Sequence, residues 1–334
     1  MKHVFIVHSH TTFLISMAAI SKLSLAKDDV ILLYGRKYSI SCVDVPYRVL
    51  NMDDIYYHEC SNLKFVLSRK EQKKYEEEVD RFITNHIKDD YSLYAPHLVF
   101  PAFQLIATNK KCKQLSLIQE GATNYFGRAY SMNDIFKNLL VFNNKRIWYR
   151  SNWVLPQNIT QKFSGIKTFA LTDNYWKPLH DATHIIVEMP QYNLNVEFDS
   201  TKPIFVFEAS VEHKQIEKKI FMSGCKKLID ECKESINYIK FHPAQTEENK
   251  KHIISMFHDS KVYELPMGVP FEIILSSYNN LKVCGFSTSL IIYAYDMGHK
   301  VICHASELSK HSPKFKKYIC SMKFDKHPVY NLSN

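Results

Sequence analysis

Six short segments carry side chains suited to chemistry, and each lies at or near the C-terminal side of an apolar run. Ile118-Gln119-Glu120-Gly121-Ala122-Thr123-Asn124-Tyr125 puts a carboxylate directly after such a run, with a glycine to permit a tight turn. Glu120 there could take a proton from a substrate hydroxyl, although an ordinary turn with a surface glutamate reads the same way. Tyr238-Ile239-Lys240-Phe241-His242-Pro243 ends a strand on a histidine that the proline holds in a fixed loop. His242 could donate to a phosphate oxygen. His327-Pro328 is a second such dipeptide, so the strand context alone distinguishes His242.

Leu281-Lys282-Val283-Cys284-Gly285-Phe286-Ser287-Thr288-Ser289-Leu290 reads as strand, glycine turn, hydroxyl cluster and helix start. Ser287, Thr288 and Ser289 would meet the free N–H groups of a helix N-terminus, which favour an anion; plain N-capping is the simpler reading. In Val269-Pro270-Phe271-Glu272-Ile273-Ile274, Glu272 suits either ribose hydroxyls or a helix start. His8-Ser9-His10-Thr11-Thr12 follows the first strand, so Ser9, His10 and Thr11 are candidates to line a binding cleft. Two histidines at i, i+2 make poor evidence for a metal without a third ligand. Ser210-Val211-Glu212-His213 offers Glu212 as a second candidate base.

Something must hold these segments in place. Val4–Val7, Leu98–Phe100, Leu115–Ile118, Ile204–Phe207, Tyr238–Phe241, Leu281–Cys284 and Val301–Cys303 read as strands, with Val30–Tyr34 completing a βαβ opening around a helix over Phe13–Leu25. Further helices are expected over Arg69–Ile87 and Lys214–Cys232, and a third with Thr246 as its N-cap. In the Arg69–Ile87 helix, Tyr75, Val79, Phe82, Ile83 and His86 share one face. The polar stretch Asn193–Lys202 is the natural boundary. The expectation is an α/β chain of two domains, 1–198 and 199–334, and in parallel α/β sheets ligands bind beyond the C-terminal strand ends.

Length and composition agree. A chain of 334 residues with 46% hydrophobic and 23% charged residues is long enough for two cores and is not a disordered chain. The net charge of +9 suits an anionic partner without choosing one. With only 8 glycines, glycine-rich low-complexity classes are excluded. None of the 8 cysteines forms a CxxC pair, which argues for buried free thiols in a reducing compartment. There is no P-loop, no GxGxxG and no Asp-x-Asp. No signal peptide or membrane-spanning run is visible, so a cytoplasmic protein is expected. Dispersed basic residues and absent RNA-recognition modules argue against nucleic acid. Lys310, Lys314, Lys316, Lys317, Lys323 and Lys326, interleaved with Phe315, Tyr318, Ile319 and Phe324, suggest peripheral contact with an anionic inner membrane or an ordinary solvated helix.

The ordered set acidic-Gly at Glu120-Gly121, His-Pro at His242-Pro243 and Ser-Thr-Ser at Ser287–Ser289 resembles the bacterial sialyltransferases and polysialyltransferases, closest in layout to the lipooligosaccharide, capsule and O-antigen enzymes. The resemblance runs from about Val4 to Cys303. It implies a GT-B-like α/β fold, two Rossmann-like domains facing a central cleft, with CMP-Neu5Ac held mainly by the C-terminal half. It further implies inverting transfer of sialic acid to a hydroxyl of a surface glycan, possible lipid-linked acceptors, and no metal or other cofactor. By position, Glu120, His242, Pro243, Glu272, Ser287, Thr288 and Ser289 take the motif roles, with Ser9, His10, Thr11 and Asn124 as further substrate contacts.

One departure stands out. The first acidic position of the D/E-D/E-G motif is Gln119, which cannot act as a base. In the lipooligosaccharide type the base is an acid after the first strand of the C-terminal half, which points to Glu212; in the polysialyltransferase type it lies in the acidic-Gly motif, which points to Glu120. The alternatives are a CMP- or CDP-dependent transferase of another group such as glycerophosphate, and an inactive nucleotide-sugar-binding or nucleic-acid-binding protein.

Overall fold

The computed structural model describes residues 1–56, 69–98, 100–121, 148–149, 152–153, 163–173, 182–194, 198–266, 268–322 and 324–331. The chain forms two compact units. One runs over Met1–Glu120 and Gly127–Met189, and the other holds Pro190–Asn334.

The first unit opens with β1 (Lys2–Val7), α1 (His10–Lys22), β2 (Val30–Tyr34), β3 (Arg48–Asn51), α2 (Asp53–Tyr56) and α3 (Arg69–His86). It continues with β4 (Tyr91–Ala95), α4 (Pro101–Thr108), β5 (Cys112–Ile118), a short hairpin of β6 (Trp148–Tyr149) and β7 (Asn152–Trp153), then β8 (Lys167–Ala170) and β9 (Thr183–Ile186). Seven strands pair in the order β3-β2-β1-β4-β5-β8-β9, every pair parallel. Parallel strands need both faces covered, which is why β1, β2 and β4 are near-continuous apolar runs. Val79 and Ile83 of α3, with Phe103 and Ile106 of α4, pack into the core against Val4, Ile6, Leu33 and Leu93.

The order reverses direction between β1 and β4, the switch point where parallel α/β sheets open a crevice at their C-terminal edge. Ser9 caps α1 in a reciprocal box with Thr12. Buried Gln119 accepts from the N–H of Leu171 at 2.9 Å, so the side chain that departs from the acidic motif serves the sheet.

The second unit contains β10 (Ile204–Phe207), α5 (Lys218–Cys232), β11 (Ile236–Phe241), α6 (Glu247–Ser255), β12 (Lys261–Glu264), α7 (Phe271–Ser277), β13 (Lys282–Gly285), α8 (Ser289–Asp296), β14 (Lys300–Cys303), α9 (Ala305–His311) and α10 (Pro313–Ser321). Its five strands pair in parallel in the order β12-β11-β10-β13-β14, with the switch point between β10 and β13. Gly285 is required there by close approach: a Cβ would meet the carbonyl oxygen of Val206 at 2.7 Å.

Two expectations are corrected. Neither Leu98 nor Phe100 is in a strand; the strand is β4, and Pro96 stops it before a loop that leads into α4. His86 is exposed, and buried Ile87 takes the inward place at the end of α3. In the C-terminal segment Phe315, Ile319 and Phe324 are buried in the core. Lys314, Lys316, Lys317 and Lys326 remain at the surface, and Lys323 lies outside the described residues. Cys225, Cys232, Cys284 and Cys303 are buried free thiols, and among the described residues no helix is long and apolar enough to cross a membrane.

Candidate active site

In the first unit three neighbouring strands each end on an ionisable side chain. His8 follows β1, His97 follows β4 and Glu120 follows β5. His8 Nε2 lies 2.9 Å from Glu120 Oε1, and His97 Nε2 lies 3.2 Å from Glu120 Oε2. One carboxylate therefore faces two imidazoles. The His8 side chain is fully buried, while His97 and Glu120 keep partial access to solvent. The rings of Phe100 and Phe103 stand edge-on or tilted against both histidines, which fixes their orientation. Burial acts to raise the Glu120 carboxyl, but the adjacent His8 imidazole and the charges of His97, His8 and Arg36 outweigh it, and the net displacement is downward.

Ser9, His10 and Thr11 are placed differently from their expected role. The Ser9 hydroxyl is used in capping α1, His10 Nδ1 pairs with the Tyr38 hydroxyl at 3.1 Å, and Thr11 is buried. Of that segment it is His8 that turns toward the carboxylate. Asn124 lies outside the described residues.

In the second unit the switch point is occupied by Glu208, the residue after β10. Its Oε1 accepts from the hydroxyls of Ser287 at 2.6 Å and Ser210 at 3.1 Å, and its Oε2 accepts from the Ser287 N–H at 3.0 Å. All three residues are buried. Desolvation outweighs these donors and pushes the Glu208 carboxyl up to about 7. Expected to face an anion, Ser287 here commits its amide and hydroxyl to Glu208 and anchors the loop. Thr288 caps α8 through the Leu290 N–H, and Ser289 is the first residue of that helix, both part-exposed. An eight-residue helix starting here presents a positive dipole end at the strand edge.

His242 follows β11, the other neighbour of β10. Its Nδ1 accepts from the Ala244 N–H at 3.1 Å, which leaves the proton on Nε2 as an outward donor in the neutral ring. Desolvation at the strand end, then the charge of His213, lower its proton affinity against the opposing pull of Glu212. Pro243 is exposed beside it. The ends of β11 and β13 are two strand spacings apart, about 10 Å, comparable to a nucleoside monophosphate.

Glu272 stands in the first turn of α7. Desolvation raises its carboxyl, and nearby Lys240 opposes that. The buried Lys240 ammonium donates to the carbonyls of Pro266 at 2.7 Å and Val269 at 3.1 Å, tying down the loop that delivers Glu272.

Glu212, the other candidate base, is held at one oxygen. Its Oε1 accepts from the Thr246 N–H at 2.9 Å, the Thr246 hydroxyl at 3.3 Å and the Asn249 amide at 2.8 Å, so it braces the start of α6. Burial acts to raise it, but these donors prevail and lower it.

Sequence reading missed Glu208 and His97. Both carry the signal used elsewhere, a polar residue just past a strand. Glu208 was overlooked because Glu212 also follows that strand, and His97 because the strand was sought at Leu98–Phe100.

Neither a protein-family model nor a curated protein matches the chain. Among solved structures it is similar to UDP-GlcNAc 2-epimerase from Methanocaldococcus jannaschii, with 12% identity, 91% of this chain and 83% of that one covered, and a TM-score of 0.51. It is also similar to S. aureus MnaA in a co-structure with UDP, with 14% identity, 90% and 78% covered and a TM-score of 0.49. A third similar structure is MurG from Acinetobacter baumannii, with 10% identity, 96% and 91% covered and a TM-score of 0.43. At such identities the likeness bears on fold. Together with the two strand orders it makes this a GT-B-like α/β chain of two Rossmann-like units.

Proposed function

We propose that the protein is a nucleotide-sugar-dependent glycosyltransferase, and more narrowly an inverting sialyltransferase that moves sialic acid from CMP-Neu5Ac to a hydroxyl, of galactose or sialic acid, on a bacterial surface glycan. The observation that carries this reading is the C-terminal edge of the second sheet. There the Nε2–H of His242, the carboxylate of Glu272 and the start of α8 at Thr288–Ser289 follow strands on the two sides of β10. That edge offers a neutral donor and a helix terminus to one phosphate and a carboxylate to ribose hydroxyls. The narrowing to CMP-Neu5Ac rests on the order of the acidic-Gly, His-Pro and Ser-Thr-Ser motifs.

In the reaction the acceptor oxygen bonds to the anomeric carbon from the face opposite the phosphate. The bond from that carbon to the phosphate oxygen breaks, CMP leaves with its electron pair, and the acceptor proton passes to a carboxylate. The resemblance of the acidic-Gly motif assigns that role to Glu120. Negative charge grows on the departing phosphate, where His242 and the α8 terminus stabilise it; one such donor contributes roughly 3–4 kcal/mol.

The test is incubation of the full chain with CMP-Neu5Ac and a chelator, following CMP. Slow CMP release that falls about 100-fold in His242→Ala is the expected result. Turnover of CDP-glycerol or UDP-GlcNAc, with CMP-Neu5Ac untouched, overturns the sialyl assignment and keeps a transferase. Retardation of RNA with no response to any nucleotide overturns both.

A further inference from the structure

His8, His97 and Glu120 also have the makings of a second kind of site. Their ligating atoms, two ring nitrogens and a carboxylate oxygen, lie within 4.8 Å of one another. They come from the ends of three adjacent strands, β1, β4 and β5, and so rest on the rigid part of the first unit. In a tetrahedral zinc site with bonds near 2.0–2.1 Å, neighbouring ligand atoms stand about 3.3 Å apart. Here His8 Nε2 stands 2.9 Å from Glu120 Oε1 and His97 Nε2 stands 3.2 Å from Oε2, so the rings face different carboxylate oxygens, and a shared ion would draw three donor atoms now within 4.8 Å closer together. We propose that these three side chains bind one divalent transition-metal ion of the zinc class.

The donor set decides the metal. Two neutral imidazoles and one carboxylate suit Zn²⁺, Co²⁺ or Ni²⁺, whereas Mg²⁺ and Ca²⁺ take oxygen-rich sites. Three protein ligands leave at least one position for water or a substrate oxygen. A metal here would occupy the carboxylate that the transfer reading assigns as base. The metal-free cluster is the form that reading needs, and the metal-loaded one is inhibited.

The test reads metal directly and does not depend on sialyl transfer. Tag-free full chain, stripped with chelator, is titrated with Co²⁺ and followed by its visible absorption, then with Zn²⁺ in competition. One equivalent of Co²⁺ with tetrahedral-type bands, displaced by Zn²⁺, is expected. His97→Ala and Glu120→Gln should each weaken uptake at least tenfold while far-UV circular dichroism stays unchanged. X-ray absorption of the zinc-loaded wild-type protein should show two imidazole ligands near 2.0 Å, which covers the case of a variant that misfolds. No stoichiometric uptake, uptake unchanged in both folded variants, or a zinc shell without two imidazoles would each overturn the proposal and leave a hydrogen-bonded cluster only.

Discussion

Burial beneath Ser210 and Ser287 holds the Glu208 carboxyl at about 7, against 4.5 for the free side chain. Between those values the folded protein keeps a proton that the unfolded chain has lost. Unfolding free energy therefore falls as pH rises from about 4.5 to about 7 and is level beyond. That displacement corresponds to a contribution on the order of 3 kcal/mol. Glu208→Gln, which resembles the protonated form, should flatten that slope. Urea unfolding at pH 5 and pH 8 measures it, and an equal slope in both proteins would assign it to other groups. Glu120 obeys the opposite sign. Its carboxyl is held below its ordinary value by His8, His97 and Arg36 against the effect of burial, so ionised Glu120 favours the folded state. What residue type alone conveyed was the presence of acids after strands; which acid is buried, paired or exposed depends on neighbours far away in the chain.

At the scale of elements, α6 shows how one such neighbour acts. Glu212 lies between β10 and α5, yet its partners Thr246 and Asn249 belong to the start of α6. Glu212→Ala should cost about 1 kcal/mol, as loss of a helix cap does, seen as a lowered urea midpoint. With Glu120 as the base the rate of CMP release should not change, and a loss of 100-fold or more would make Glu212 the base instead. The sequence legibly marked Thr246 as the cap, with Glu247 and Glu248 in the first turn, because capping is local. The bracing carboxylate was not legible, because 34 residues separate it from Thr246. Strands β3, β8, β9 and β12 went unread for a related reason. They are short, and in β3, β9 and β12 most residues are not buried, so they lack the apolar run that signals a central strand.

At the scale of the whole molecule, two parallel sheets each carry their polar groups at the C-terminal edge beside a switch point. If the second edge is a nucleotide site, CMP stabilises that unit by mass action. At 100 times its dissociation constant the gain is about 2.7 kcal/mol. Scanning calorimetry with and without CMP should show an upward shift in melting that His242→Ala abolishes; a shift that persists in the variant would place CMP elsewhere. The sequence by itself determined the alternation of strands and helices, the two-unit α/β architecture and the habit of placing polar residues after strands, because periodicity and capping act over a few residues. Only the tertiary structure decided that Ser287 belongs to Glu208, that Glu212 belongs to α6, and that His8, His97 and Glu120 meet. The physical reason is strand order: β1 lies beside β4 in the sheet, and β5 beside β4, although β1 ends at Val7 and β4 starts only at Tyr91. Desolvation and pairing at such edges depend on which strand ends are neighbours.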